Sequence, residues 1–396
     1  MKNICCLLLL VSAFFCGHAR AIPDTTILPA AADPRGYMRH LKDKRVGLVI
    51  NQTSEYRGVS LLDIMRAQGV NVVRIFVPEH GFRGSADAGA HIANDVDSAT
   101  GIPVISLYGA NKKPKPEYLK DIDALVYDLQ DVGVRFYTYI STLEYCMEAC
   151  ADAGVYLLVL DRPNPNGHYV DGPVLQKEHR SFVGMQPIPI VYGMTAGEYA
   201  LMLAGEKWVA GAGKLKFDVV PCKNYTHYKR YQLPVPPSPN LRTMEAVYAY
   251  PSMCLFEGTT ISVGRGTYFP FLQYGCPEFE GLMHHSFTPR SGPGAKTPPY
   301  EGKKCYGEIL GDIKELGLRE EEDGQLQLKW LIKAYRSYPT KKNFFTSFFT
   351  KLAGTTILEE QIKQNVPEAD IRASWKNDLE AFKKIRKKYL LYQDVY

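Results

Sequence analysis

Five short runs of mostly apolar residues, at 45–50, 72–77, 102–107, 124–128 and 155–160, recur through the first part of the chain. They are of strand length, rich in Val, Ile and Leu, and largely continuous rather than alternating. That is the pattern of strands buried on both faces. Between them the spacing turns helical. Residues 59–68, with Leu61, Leu62, Ile64 and Met65, predict a helix with Gly69 as its C-cap, and 138–153 predict a longer one stopped by Gly154. Residues 33–44 predict a short amphipathic helix, 114–120 a short helical linker, and the polar, Gly/Ala/Asp-rich 85–101 a loop. Short strands linked by helices predict an α/β fold built on a doubly wound parallel sheet.

The polar exits of these strands fall in register. Asn51, Glu79, Tyr108, Asp128 and Asp161 each lie at, or within two residues of, the end of a run. In an open α/β sheet ligands bind at the carboxyl edge of the strands, so this edge is the candidate site. The densest stretch follows the second run. Pro78 cannot donate to a sheet ladder and stops the strand; Glu79, His80 and Arg83 then crowd a loop spaced by Gly81 and Gly84. No GxGxxG follows the first run, so the layout does not predict a dinucleotide.

The second half changes character. A helix is predicted over 195–206 and a strand over 215–220, followed by a Pro- and Tyr-rich stretch, 221–240, stiff enough for a domain border or a cleft wall. Residues 256–266 set Glu257 and Arg265 among glycines, 286–304 read as a Pro/Gly/Lys loop, and the chain beyond 325 is mostly helical. The Lys/Arg run in 375–389 reads as a solvated basic helix face.

Composition narrows the class. The 396 residues, 45% hydrophobic and 22% charged, suit a soluble globular protein with room for two domains. The 26 Tyr are compatible with a carbohydrate-stacking surface and equally with an aromatic core. Lys2, an apolar core at 4–15 and Ala19-Arg-Ala21 form a secretory leader over 1–21, with Ile22 as the expected mature start and lipidation at Cys16 disfavoured by Phe14 and Phe15. Removing Lys2 and Arg20 takes the formal charge from +5 to +3, too weak to argue for nucleic acid. Export to the periplasm or beyond is expected, with no membrane insertion once the leader is gone. The cysteines past the leader, 146, 150, 222, 254, 276 and 305, have no metal-ligand spacing; disulfides and buried thiols both fit them.

Long motifs then carry a resemblance. Pro78-Glu-His-Gly-Phe-Arg-Gly84, Asp128-Leu-Gln-Asp-Val-Gly-Val-Arg-Phe-Tyr-Thr-Tyr139, Asp161-Arg-Pro-Asn-Pro165, Pro237-Ser-Pro-Asn240, and Phe256-Glu-Gly-Thr259 with Val263-Gly-Arg-Gly-Thr267 resemble the exo-β-N-acetylmuramidase family, long catalogued as a domain of unknown function. The resemblance runs in order from about Arg45 to the C-terminus. It implies a glycosidase that releases terminal N-acetylmuramic acid from peptidoglycan fragments in cell-wall turnover and recycling, with muramyl saccharides as partners and no cofactor. It also implies a Rossmann-like catalytic domain, placed at 22–210, a smaller α/β domain with a helical C-terminus at 211–396, and a site in the cleft between them.

Glycoside hydrolysis needs an acid near the leaving oxygen and usually a second carboxylate. Glu79 is the candidate general acid/base, with a structural cap or salt bridge as its alternative reading. Asp128, Asp131, Asp161 and Glu257 compete for the second role; their separations, which would separate retention from inversion, are not in the sequence. Arg83, Arg135 and Arg265 are candidate readers of the lactyl carboxylate that distinguishes muramic acid, since a planar guanidinium matches a carboxylate. Alternatively, Arg135 and Arg162 pair with Asp131 and Asp161 to hold the loops. His80, Gln130, Asp131, Tyr137, Tyr139, Arg162, Asn164 and Asn240 complete the expected substrate-binding set, although the tyrosines also suit a core and the asparagines rigid turns. Two rivals remain. One is a metal-dependent hydrolase or deacetylase using His80, His91, Asp95 and Asp97, whose spacing matches no known metal motif; the other is a non-catalytic wall-binding protein.

Overall fold

The computed structural model describes residues 26–79, 81–82, 95–311 and 324–395. The leader, Cys16, His80, Arg83 and His91 lie outside them. A seven-stranded sheet organises the first half. Its spatial order is Asp95–Val96, Pro103–Ser106, Asn71–Val77, Arg45–Val49, Ala124–Tyr127, Tyr156–Leu160, Phe217–Val220, and only the first pairing is antiparallel. The strands are apolar on both sides because both sides are covered. Val49, Phe76, Leu125, Tyr127 and Val159 pack into one cluster with the helices Tyr139–Ala153 and Ala196–Gly205. Leu48, Ile75, Val126 and Leu158 point the other way, into a second cluster with Leu61, Leu62 and Met65 of the helix Leu61–Ala67. Each such side chain contributes about 1.5–3 kcal/mol by leaving water.

Local chemistry sets the helix ends. Gly154 closes Tyr139–Ala153 at φ +68°, a left-handed conformation that a Cβ would oppose. Thr195 opens Ala196–Gly205 through a capping box, its hydroxyl accepting from the Glu198 amide while the Glu198 carboxylate accepts from the Thr195 amide.

The second half adds a three-stranded antiparallel sheet, ordered Gln273–Cys276, Cys305–Ile309, His285–Phe287, and the helices Met244–Met253, Lys329–Ser337, Ser347–Ala353, Ile357–Lys363, Glu368–Ser374 and Lys376–Arg386. Its core is continuous with that of the large sheet: Phe256, Tyr274, Phe344 and Trp375 share the cluster of Tyr127 and Leu143. The predicted fold class is the one found, and several details differ. The large sheet takes its last strand, Phe217–Val220, from beyond the expected border at 210. Residues 33–44 fold only as Pro34–Tyr37 and a 3₁₀ turn Met38–His40, and the expected loop at 85–101 contains the edge strand Asp95–Val96. All six described cysteines are buried thiols without bridges. The basic helix is half docked: Leu379 and Phe382 are buried, and Arg386 donates to the Gly193 carbonyl and ion-pairs with Asp394.

The helix Met244–Met253 has no clean sequence signature because Pro251 sits inside it. Proline cannot donate to the carbonyl of Val247 one turn back. The side chain of Asn166 replaces that donor, bonding the Val247 carbonyl at 3.2 Å and the Val132 carbonyl at 2.9 Å.

Candidate functional site

The strand order reverses beside Arg45–Val49, which has Asn71–Val77 on one side and Ala124–Tyr127 on the other. Such a switch point leaves a crevice at the carboxyl ends of the strands. Hydrogen bonds knit the exits there. The Ser54 hydroxyl donates to the Asp128 carbonyl, and Asn51 donates to the Tyr139 hydroxyl at 2.7 Å. Tyr139 in turn donates to the Glu79 carbonyl at 3.4 Å, and Thr138 donates to Oε2 of the Glu79 carboxylate at 3.1 Å. Glu79 is thus held in backbone and side chain by the residues that open the helix Tyr139–Ala153, whose N-terminal amides favour negative charge.

A cleft of about 1010 Å³ opens here, with Glu79, Thr138, Tyr137 and Tyr139 from the first half and Glu257 and Arg265 from the second among its lining residues. Arg265 Nε lies 2.5 Å from Glu257 Oε1, and the guanidinium sits 5.0 Å from the centre of the Phe271 ring. Burial works against the Arg265 charge, but Glu257 beside it prevails and pushes the arginine above its ordinary range. The Pro-rich segment is a wall, as its composition predicts: Gln52 donates to the carbonyls of Pro236 and Pro237, Tyr137 donates to Pro237 at 2.7 Å, and Ser238 faces the cleft.

Other expected site residues sit behind the cleft rather than in it. Asp128 and Arg162 form a two-pronged buried ion pair at 2.5 and 2.9 Å. Asp161 accepts from Thr195 at 2.7 Å, Tyr392 at 2.5 Å and the Gly197 amide at 2.8 Å; burial raises its carboxyl to about 6 against those donors. Asp131 accepts from Tyr192 and from the Gly133 amide at 2.6 Å, and burial likewise raises it to about 6. The pairings anticipated for the arginines are therefore not those found. Arg135 is fully buried and does not line the cleft, although the Leu352 it bonds does. Its two terminal nitrogens donate to the carbonyls of Pro173, Ile188, Leu352 and Ala353, and Nε has no partner among the described residues. Desolvation lowers it to about 9. Gln130 bonds the carbonyls of Asp131 and Pro163, Asn164 that of Met194, and Asn240 that of Gly294. These side chains brace the loops on which the cleft is built.

Sequence reasoning missed Thr138, Lys112, Phe182, Phe348 and Lys351, all of which line the cleft. Thr138 stood inside a quoted motif; the other four carry no local pattern that separates them from ordinary surface residues. Of the metal-hydrolase set, Asp95 bonds its neighbour's amide and Asp97 accepts from Thr100, while His80 and His91 are outside the described residues. Among the described residues no group of three or more His, Cys, Asp or Glu is placed to hold a metal.

The sequence profile for the N-terminal part of exo-beta-N-acetylmuramidase NamZ matches residues 46–245, and that for its C-terminal part matches residues 248–392. The chain belongs to this family. The two profiles meet in the helix Met244–Met253, at the far end of the Pro-rich wall. The peptidoglycan beta-N-acetylmuramidase NamZ of Bacillus subtilis (strain 168) is 38% identical over 377 residues, 90% of this chain and 89% of that protein. Two solved DUF1343 family proteins from Bacteroides fragilis NCTC 9343 share the fold. One is 47% identical over 93% of this chain and 99% of its own, with a TM-score of 0.85; the other is 30% identical over 94% and 100%, with a TM-score of 0.77.

Proposed function

We propose that the chain is an exo-acting β-N-acetylmuramidase that releases terminal N-acetylmuramic acid from peptidoglycan fragments, serving cell-wall turnover and recycling. The observation that carries this reading is the meeting of Glu79 and Glu257, from the two halves of the chain, in one cleft. Family membership and the Bacillus subtilis relative support the substrate class. Glu79 is the general acid/base that protonates the leaving oxygen. Glu257, ion-paired with Arg265, is the second carboxylate and faces the positive charge that grows at the anomeric carbon. Tyr137 and Tyr139, buried with ring centres 4.7 Å apart, back the wall of the cleft.

The test is a paired assay with a chromogenic N-acetylmuramide and the matching N-acetylglucosaminide. Preferential turnover of the muramide is expected; tight binding of muramyl fragments without turnover would instead support a wall-binding protein. The leader-like segment at 1–21 supports export of the enzyme, to the periplasm or beyond. N-terminal sequencing of the secreted protein is expected to begin at Ile22, whereas a lipid-modified start at Cys16 would place it on a membrane. Among the described residues no helix is long and apolar enough to cross one.

A further inference from the structure

The cleft holds cations that the proposed hydrolysis does not use. Arg265 is committed to Glu257. Lys112 and Lys351 also line the cleft and have no carboxylate partner among the described residues. The contrast with the next residue is informative: Lys113 bonds both Glu148 and Asp152, while Lys112 sits 4.5 Å over the ring of Phe182. Phe182 is itself braced by the near-parallel ring of Tyr145, 5.9 Å away. On the second element, Phe348 and Lys351 stand three residues apart on the helix Ser347–Ala353 and so share one face. That helix is pinned, because the carbonyls of Leu352 and Ala353 in its last turn are held by the buried Arg135.

Two separate elements therefore each offer the cleft an aromatic ring and an ammonium with no carboxylate partner among the described residues. The 3-O-lactyl group of muramic acid carries one methyl and one carboxylate, which call for an apolar face and a cation side by side. We infer that Lys112 with Phe182, and Lys351 with Phe348, form the subsite that reads the carboxylate on the C3 substituent of the muramyl residue. The inference rests on the glycosidase reading. In peptide-free fragments that carboxylate belongs to the lactyl group itself; in muropeptides the lactyl group is amidated and the carboxylates belong to the stem. The pairing of an aromatic ring with each ammonium favours the lactyl source, whose methyl and carboxylate are borne on one carbon.

The experiment compares wild type, Lys112→Gln, Lys351→Gln and the double variant on a chromogenic muramide with a free lactyl carboxylate and on its lactyl amide. Direct binding of free N-acetylmuramic acid is measured by calorimetry beside it. Losing a charge-assisted contact lowers selectivity for the free acid over the amide by about tenfold to a hundredfold, chiefly through KM. The same substitutions weaken calorimetric binding in parallel, and the double variant exceeds either single one. Equal losses on both substrates, or no loss on either, overturn the subsite. A wild-type enzyme that favours a peptide-bearing muramide, with that preference lost in the variants, moves the recognised carboxylate to the stem and overturns the lactyl assignment. Wild type that binds N-acetylmuramic acid through these lysines but hydrolyses no muramide keeps the subsite and overturns the glycosidase reading instead. Charge reversal, Lys351→Glu, guards against compensation by water and is expected to abolish binding of the free acid.

Discussion

The hydroxyl of Thr138 donates to Oε2 of Glu79 at 3.1 Å, joining the exits of two parallel strands that are not neighbours in the sheet. Glu79 leaves the strand Asn71–Val77, and Thr138 ends the long loop after Ala124–Tyr127 and opens the next helix. The strand Arg45–Val49 lies between them, and its own exit residue, Asn51, completes the tie through Tyr139. The carboxylate is thereby tied to the sheet's topology.

Thr138 is therefore a positioning residue. Thr138→Val keeps the shape and removes the donor, and kcat on an unactivated muramyl disaccharide is expected to fall by about threefold to tenfold with KM little changed. Thr138→Ser restores the hydroxyl and the rate. A valine variant as fast as wild type would release Glu79 from this tether.

Arg135 tests structure against recognition. Replacing it with Met leaves four buried carbonyls without their donors, at a cost on the order of 3 kcal/mol or more, read as a fall in the urea midpoint. Because Arg135 does not line the cleft, muramide and glucosaminide activities are expected to fall together. A selective loss of muramide activity would return it to the substrate. Gly354 tests the same contact from the other side. At φ +79°, with a Cβ position 2.6 Å from Arg135 Nη2, Gly354→Ala is expected to destabilise by roughly 1–3 kcal/mol.

The features legible in the sequence are those whose causes are local. Gly154 stops its helix by its own φ, and Thr195 and Glu198 cap theirs within one turn. The apolar runs announce a sheet covered on both sides. What stayed hidden depends on partners far along the chain. Pro251 obscures the helix Met244–Met253, and the Asn166 side chain that excuses it comes from 81 residues away. Arg135 and Arg162 stood in motifs long enough to suggest substrate contact, yet the carbonyls that hold Arg135 include one 217 residues on, and Arg162 serves Asp128. A buried loop brace constrains a side chain as strictly as a sugar does. Lys112 and Lys351 show the converse, functional placement with no motif at all.

Asp161 gives a prediction in pH. Burial raises its carboxyl from 3.8 to about 6, so the folded state holds the proton more tightly than the unfolded chain. The stabilisation is full below the unfolded value and is lost as pH rises through the folded one. Asp161→Asn cannot ionise, so relative to wild type it is expected to gain stability between about pH 4 and pH 6, by on the order of 2 kcal/mol across that window. The quantity to measure is the difference in unfolding free energy between the two proteins at each pH. That comparison cancels the opposing trend of carboxylates held low by Arg and Lys partners, such as Asp123. A difference that is flat with pH would show Asp161 charged throughout.

The assignment of the acid rests on Glu79. Glu79→Gln keeps the shape and can still accept from Thr138, but it carries no transferable proton. If Glu79 protonates the leaving oxygen, turnover of an unactivated muramyl disaccharide is expected to fall about 10² to 10⁴-fold while substrate binding survives. The deficit shrinks for aryl muramides with good leaving groups, which need less protonation, as long as glycosidic cleavage limits the rate. Glu257→Gln serves as the contrast. It removes the charge that pairs with Arg265 rather than the proposed proton donor, so its deficit is expected to persist with good leaving groups. Asp128→Asn and Asp161→Asn, both behind the cleft wall, should act through stability instead and be rescued at lower temperature. Near-normal turnover by Glu79→Gln on the unactivated disaccharide would remove Glu79 from the chemistry. The leaving oxygen would then have to take its proton from the Glu257 side of the cleft, and the Arg265 pair would have to open for it to do so.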